Sequence, residues 1–444
     1  MPGLTSHPPS AASPLRDWLE YIEALHPQGI ALGLERVAQV WQRMAVPLAC
    51  ATIVVGGTNG KGSTCAMLDA ILRAAGYRTG LYTSPHLLRF NERARVDGRE
   101  VDDAALVRAF TAVEAARARA PAVALTYFEF TTLAVLAHFG GAGLDCAVLE
   151  IGLGGRLDAV NIVDADCAIL TSVDLDHQDY LGDTREQIGW EKAHIFRDGR
   201  PAIVSDPRPP ATVVEVAHAR GARLALLGRD FGYVGQHDRQ VRQWKFWATL
   251  GAGPVTRNGL SYPALRGANQ LLNAAAALAA IEALRERLPV SMQAIREGLA
   301  GVEWPARFQV LPGRPLVVLD VAHNPHAAAV LADNLSNIGF APATHAVFGM
   351  LADKDIAGVV KLMMPRIDTW HLADLPGPRG MSARDLAGIL GGCGVASGIV
   401  LHPDPAAAYA AARAAAGEND RIVAFGSFLT VAGVMQAMQQ PAAT

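Results

Sequence analysis

One stretch near the amino end, Ala51-Thr52-Ile53-Val54-Val55-Gly56-Gly57-Thr58-Asn59-Gly60-Lys61-Gly62-Ser63-Thr64, constrains this chain more than any other. An apolar run breaks into glycines and then into a helical pattern, which reads as strand, phosphate loop and helix. Glycines without a Cβ let backbone N–H groups turn inward around phosphate oxygens, and the following helix aims its positive end there. Lys61 adds a positive charge. The match to the usual phosphate-loop formula is imperfect, since Val55 stands at its first glycine and Gly62 separates Lys61 from Ser63. A plain turn needs one or two glycines rather than four and a lysine, so nucleotide binding is the reading that fits.

A chain of 444 residues is too long for one core and divides most simply into two domains, residues 1–302 and 303–444. Its net charge of −3 supplies no basic field for nucleic acid or an acidic membrane surface. Five cysteines, odd in number and without metal-type spacing, read as free thiols of a reducing compartment. With no leader pattern and no apolar run long enough to span a bilayer, the expectation is a cytoplasmic, soluble protein.

Two helical patterns, through Leu15 to Leu25 and Leu34 to Trp41, precede the phosphate strand. Beyond it, Thr79 to Thr83, Cys146 to Ile151 and Ala168 to Val173 read as strands separated by helices, the second wholly apolar until Glu150 and therefore buried on both faces. Such alternation predicts an α/β fold with a mostly parallel, phosphate-loop-type sheet whose carboxyl edge gathers the glycine loop, Ser84, Glu150 and His177. From about Asp206 to Arg266, aromatic residues among polar ones and Gly/Pro turns predict a small antiparallel addition. Trp304 to Arg307 reads as a hinge. Five further strands alternate with helices after it, giving a smaller α/β carboxyl-terminal domain.

Glu150 at the end of an apolar strand needs a cation, either Mg²⁺ held with nucleotide phosphates or the nearby Arg156. His177, at a strand end between Asp176 and Asp179, is a metal ligand or a structural group. Ser84 heads an ordinary Ser-Pro turn, with a hydroxyl that can reach the same rim. Lys192, in a mixed-charge helical turn, reads as a helix-surface lysine. Asn324-Pro325 fits a helix N-cap followed by proline, just after Asp320 and His323.

Six ordered motifs then carry a family resemblance: Gly57 to Ser63, Tyr82 to Leu87, Leu149 to Asp158, Asp176 to Gly182, Glu191 to Ala193 and Asp320 to Pro325. From about Pro14 to Val434 the chain resembles the folylpolyglutamate synthases, in the bacterial form that is also a dihydrofolate synthase, within the Mur ligase superfamily. Gly62 points to the folate branch, since Mur ligases place Ser or Thr directly after the loop lysine.

The resemblance implies that ATP phosphorylates a carboxyl group of dihydropteroate or of a reduced folate, and that L-glutamate attacks to give an amide, ADP and phosphate. Thr58, Asn59, Gly60, Lys61, Gly62 and Ser63 would hold the phosphates, with Asn273, Arg307 and Asp320 completing the ATP site. Two Mg²⁺ would be served by Ser63, Ser84, Glu150 and His177. Lys192 matches a lysine carbamylated by CO₂ in this family, and His323 falls either near the transferred phosphate or at a structural helix cap. For the acceptor the family points to Ile30, Ala31 and Leu32, to Thr126, Tyr127, Phe128 and Glu129, and to Leu157, Asp158 and Ala159. Ala31 is a departure, because bifunctional members carry an acidic residue there. A monomer is expected, with potassium as a further cofactor. A Mur-type ligase of cell-wall precursors would need an additional amino-terminal domain, for which the fifty or so residues before the loop are too few. A nucleotide-switch protein would turn ATP over slowly and independently of glutamate. A folylpolyglutamate synthase without the dihydropteroate activity is the remaining alternative.

Overall fold

The computed structural model describes residues 7–26, 31–238, 241–250, 253–267 and 269–439. The chain forms two compact units, Met1–Pro263 with Leu271–Val302, and Ala264–Gln270 with Glu303–Thr444.

In the first unit the strands are β1 (Ala51–Gly56), β2 (Thr79–Tyr82), β3 (Ala94–Val96), β4 (Arg99–Glu100), β5 (Cys146–Glu150), β6 (Cys167–Leu170), β7 (Pro201–Val204) and β8 (Arg223–Leu226). They form one sheet in the order β4-β3-β2-β5-β1-β6-β7-β8, parallel from β2 to β8, with an antiparallel β3–β4 edge. Every residue of β1 and β5 is buried, as continuous apolar runs require in a sheet covered on both faces. The register sets Val55 beside Glu150 and Gly56 beside Leu170. Because β1 lies between β5 and β6, the chain leaves its carboxyl end at a switch in strand order, where open α/β sheets bind ligands.

The segment after Asp206 differs from its expected role. The helix Ala211–Ala219 and β8 extend the parallel sheet, and the antiparallel addition begins only at Phe231. Only Ala225 is buried in the edge strand β8, so its sequence carries little apolar signal. The addition is a meander of β9 (Phe231–Asp238), β10 (Val241–Leu250) and β11 (Gly253–Ser261), with Phe231, Trp244 and Phe246 buried in it.

The second unit holds β12 (Gln309–Leu311), β13 (Leu316–Leu319), β14 (Thr344–Phe348), β15 (Thr369–Ala373), β16 (Ile399–His402) and β17 (Arg421–Phe425), in the order β12-β13-β17-β14-β15-β16. All neighbours are parallel except β12 and β13. Phe348, Trp370 and Phe425 form its aromatic centre. On the other face three imidazoles cross successive strands: His345 lies 3.4 Å from His371, which lies 3.2 Å from His402, and Asp420 stands 3.8 Å beyond His345.

All five cysteines are free thiols, and among the described residues no helix is long and apolar enough to cross a membrane.

Candidate active site

The glycine loop is braced by the chain that leaves β6. Thr58 donates its N–H to the Ser172 carbonyl at 2.7 Å, and the Asn59 N–H reaches Ser172 Oγ at 3.1 Å. Thr171 Oγ1 returns a bond to the Asn59 carbonyl at 2.7 Å. Two glycines are obligatory here. A Cβ on Gly57, at φ 139°, would lie 1.9 Å from Thr171 Oγ1, and one on Gly60, at φ 87°, would lie 2.6 Å from Asn273 Oδ1. Gly60 caps the helix Lys61–Ala74, whose first N–H groups, through Gly62 and Ser63, have no intrahelical acceptor and form an anion cradle.

Two ammonium groups converge on one carbonyl. Lys61 Nζ donates to the Gly57 oxygen at 3.0 Å and to that of Thr58 at 3.2 Å, while Lys192 Nζ reaches the Gly57 oxygen at 3.2 Å. Lys192 is 5% exposed and so lies inside the protein, contrary to the surface position its helix pattern gave. The mixed charge around it is spent elsewhere: Glu191 pairs with Arg156 at 2.9 Å, and Trp190 lies under the Arg156 guanidinium. Burial, aided by the Lys61 charge and opposed by Asp176 and Asp158, brings the Lys192 amine down to about 7.

With Arg156 committed to Glu191, Glu150 turns to its own rim, where its Oε2 accepts the Ser84 N–H at 3.1 Å. Ser63 is buried in the first turn of the loop helix. His177 is not at a strand tip. It caps the short helix Gln178–Leu181 in left-handed backbone, φ 53°, well beyond β6, because Thr171 to Asp174 are used in bracing the loop. Among the described residues no three His, Cys, Asp or Glu side chains form a metal cage. Ser84 and Glu150 are linked at the Ser84 N–H, and the hard oxygens of Ser63, Ser84 and Glu150 are of the chemical type a Mg²⁺-like ion takes.

The residues expected on the acceptor side lie in the first unit, and Ile30 is outside the described residues. Ala31 and Leu32 are half-buried ahead of the helix Glu35–Met44. Thr126 and Glu129 form a capping box on the helix Tyr127–Gly140, which leaves Tyr127 and Phe128 half-buried, the latter stacked 6.4 Å from Tyr82. Asp158 is buried, accepts the N–H groups of Leu153 and Val160, and is pushed up to about 6 by burial. Ala159 is buried next to it, and Leu157 is half-buried. Arg36, which touches two of these segments, carries no motif in the sequence.

In the second unit Arg307 sits between two non-glycine residues in left-handed backbone, Ala306 at φ 58° and Phe308 at φ 47°. The half-buried Asp320 carboxylate holds this turn by accepting the Phe308 N–H at 2.8 Å and that of Ala322 at 2.7 Å. Loss of hydration raises its pKa, against those bonds and the Arg307 charge. The Arg307 guanidinium lies 5.1 Å from the centre of the Phe428 ring, and the His323 ring lies 6.3 Å from it. His323 Nδ1 contacts the Val321 oxygen at 2.8 Å, while the N-cap of the helix Pro325–Asn337 is Asn324, so His323 is not the capping group.

Residues 55–281 match the Mur ligase middle domain, and residues 306–428 match the Mur ligase glutamate ligase domain. The Dihydrofolate synthase/folylpolyglutamate synthase of Escherichia coli (strain K12) is 46% identical over 97% of each chain. The structure superposes on E. coli FolC in complex with DHPP and ADP with a TM-score of 0.89 and 44% identity, covering 97% of this chain and 99% of that one. A bifunctional folylpolyglutamate synthase/dihydrofolate synthase with Mn, AMPPNP and L-glutamate bound gives a TM-score of 0.87 at 44% identity, covering 98% of this chain and all of the other. The glycine loop with its paired lysines, the two-unit architecture and these likenesses agree: the chain belongs to the dihydrofolate synthase/folylpolyglutamate synthase family of Mur ligases, which are ATP-dependent acid–amino-acid ligases.

Proposed function

We propose that the protein joins L-glutamate to dihydropteroate and, in a second reaction, to the γ-carboxyl of a reduced folate, consuming ATP in each. The observation that carries this reading is the meeting of Lys61, Lys192 and the glycine loop at the Gly57 carbonyl, on the rim that also holds Glu150. The relatives bound to DHPP, ADP, AMPPNP, Mn and L-glutamate support it.

A carboxylate resists amines because it has no leaving group. Transfer of the terminal phosphoryl of ATP to a carboxylate oxygen gives an acyl phosphate and ADP. The glutamate amine then attacks the acyl carbon, phosphate departs, and the nitrogen gives up its proton. Positioning and charge neutralisation do most of this work. In this reading Thr58 to Ser63 cradle the phosphates, Lys61 neutralises the transferred group, and Asn273 holds Gly60 against the nucleotide. Arg307 and Asp320 bind ATP, and His323 contacts the transferred phosphoryl. Ser63, Ser84, Glu150 and His177 hold two divalent ions, which supply Lewis-acid charge when bound. Ile30 to Leu32, Thr126 to Glu129 and Leu157 to Ala159 wall the acceptor. A monomer that also takes K⁺ completes the reading, and exchanging KCl for NaCl in the assay tests that ion.

Lys192 acts as a carbamate. Its neutral amine adds to CO₂ and releases a proton, so a buried cation facing Lys61 becomes an anion facing it, and repulsion becomes attraction. The lowered basicity of Lys192 favours the amine form that reacts. Lys192→Ala is expected to abolish synthesis, with partial recovery on adding a short carboxylic acid. A fully active Lys192→Ala enzyme would remove this role.

The decisive assay mixes protein, MgATP and glutamate with dihydropteroate or a reduced folate and follows ADP and product mass. A gain of one glutamyl unit on each acceptor is expected. Gain on the folate alone would reduce the protein to a folylpolyglutamate synthase, AMP release would exclude the acyl phosphate, and ATP turnover indifferent to glutamate would mark a switch.

A further inference from the structure

Two of the stretches assigned to the acceptor, at Ala31-Leu32 and at Thr126–Glu129, are far apart in sequence but meet on one side chain. Arg36 donates from Nε to both oxygens of Glu129, at 3.1 and 3.3 Å, and from Nη2 to Oε1 at 2.7 Å. The same Nη2 donates to the Ala31 carbonyl at 2.7 Å. Glu129, 4% exposed, passes the constraint on: its Oε2 accepts the Thr126 N–H at 2.7 Å, and Thr126 Oγ1 accepts the Glu129 N–H at 3.3 Å.

A capping box needs only its Thr and Glu, so helix ending alone does not require the arginine. Nor does a buried ion pair usually improve on apolar packing in stability. What the planar fork supplies is geometry, since it fixes a carbonyl before one helix at a set distance from the first turn of another. Tyr127 and Phe128, half-buried, stand on that first turn.

We infer that Arg36 is a positioning residue for the acceptor, setting the spacing between the Ala31 wall and the Thr126–Glu129 wall without touching the reacting atoms. The inference rests on the function proposed above, and it is specific to one substrate out of three. A lysine has a single ammonium and cannot reproduce the fork, so it should replace Arg36 only in part.

The test compares wild type with Arg36→Lys and with the double variant Arg36→Met/Glu129→Gln, which removes the fork without leaving a buried carboxylate unpaired. Michaelis constants are measured for dihydropteroate, a reduced folate, ATP and glutamate, with thermal midpoints alongside. The double variant should raise the KM of both acceptors by roughly tenfold or more, with those of ATP and glutamate within about twofold and Arg36→Lys in between. Acceptor KM values that stay put while the thermal midpoint falls would make Arg36 purely structural and overturn the inference, as would a loss spread equally over all substrates or confined to kcat. Wild-type enzyme that adds glutamate to neither acceptor would instead bring down the functional reading, and this inference with it.

Discussion

Each unit places left-handed backbone beside a strand of its sheet, just past β1 in the first and just before β12 in the second, yet the two build it in opposite ways. After β1 the backbone takes left-handed conformations on glycines, Gly57 and Gly60, where they cost little, and the packing around them leaves no room for a side chain. Around Arg307 the same region of backbone space falls on Ala306 and Phe308, and the Asp320 carboxylate holds the turn by hydrogen bonds. One loop is permitted by its composition, while the other is imposed by its surroundings. Charge follows the same division: the first unit buries a lysine beside another lysine, and the second sets a half-buried carboxylate beside an arginine.

The strongest way to break this comparison is to remove a charge from each loop. Lys61→Ala should lower kcat/KM by about 10³-fold, in the range found when a preorganised transition-state donor is lost. Arg307→Ala should cost less and fall chiefly on the KM for ATP, and steady-state kinetics would show whether the ranking holds.

A second test uses protons. In protein freed of CO₂, the Lys192 amine titrates near 7 when folded and near 10.5 when unfolded. Between those values the unfolded chain binds the extra proton, so stability rises with pH across that window, by up to about 1.4 kcal/mol per pH unit, and Lys192→Met should flatten the rise. The second unit supplies a case of the same sign at lower pH. His371, between His345 and His402 and short of Asp420, is brought down to about 4 by burial and its histidine neighbours. Its stability contribution is full above about 6.5 and is lost as pH falls through 4, and His371→Asn should remove that share of the acid slope in denaturant titrations at each pH.

The smallest expected effect exchanges the two backbone strategies. Gly60→Ala should destabilise the fold and weaken nucleotide binding, whereas Ala306→Gly should relieve left-handed strain and stabilise by about 1 kcal/mol. Equal signs for the two substitutions in chemical denaturation would end the comparison.

This contrast also explains what the sequence could reveal. The glycine loop, the apolar strands and the order of the six motifs are local patterns, and the strand, braced loop and helix at residues 51–74 were legible from them. The turn at Ala306 and Phe308 was not, because nothing in Ala-Arg-Phe signals left-handed backbone, and the carboxylate that imposes it comes from the end of β13. Lys192 looked exposed for a similar reason: Arg156 takes up the neighbouring Glu191, and only the fold brings Gly57 to the lysine. Arg36 is the same case, with both its partners supplied by other segments. In β8 the apolar signal was too weak at a sheet edge to separate a parallel strand from the meander that follows.

The placement of β1 has a consequence for how the protein is made. Its partners on either side, β5 and β6, begin at Cys146 and Cys167, so the strand carrying the glycine loop leaves the ribosome long before either neighbour exists. Pairing of that kind closes large loops and is slow. A nascent chain stopped before about residue 170 should therefore carry the nucleotide motif in its sequence but no nucleotide site, and during synthesis an exposed apolar strand must be shielded until its neighbours arrive.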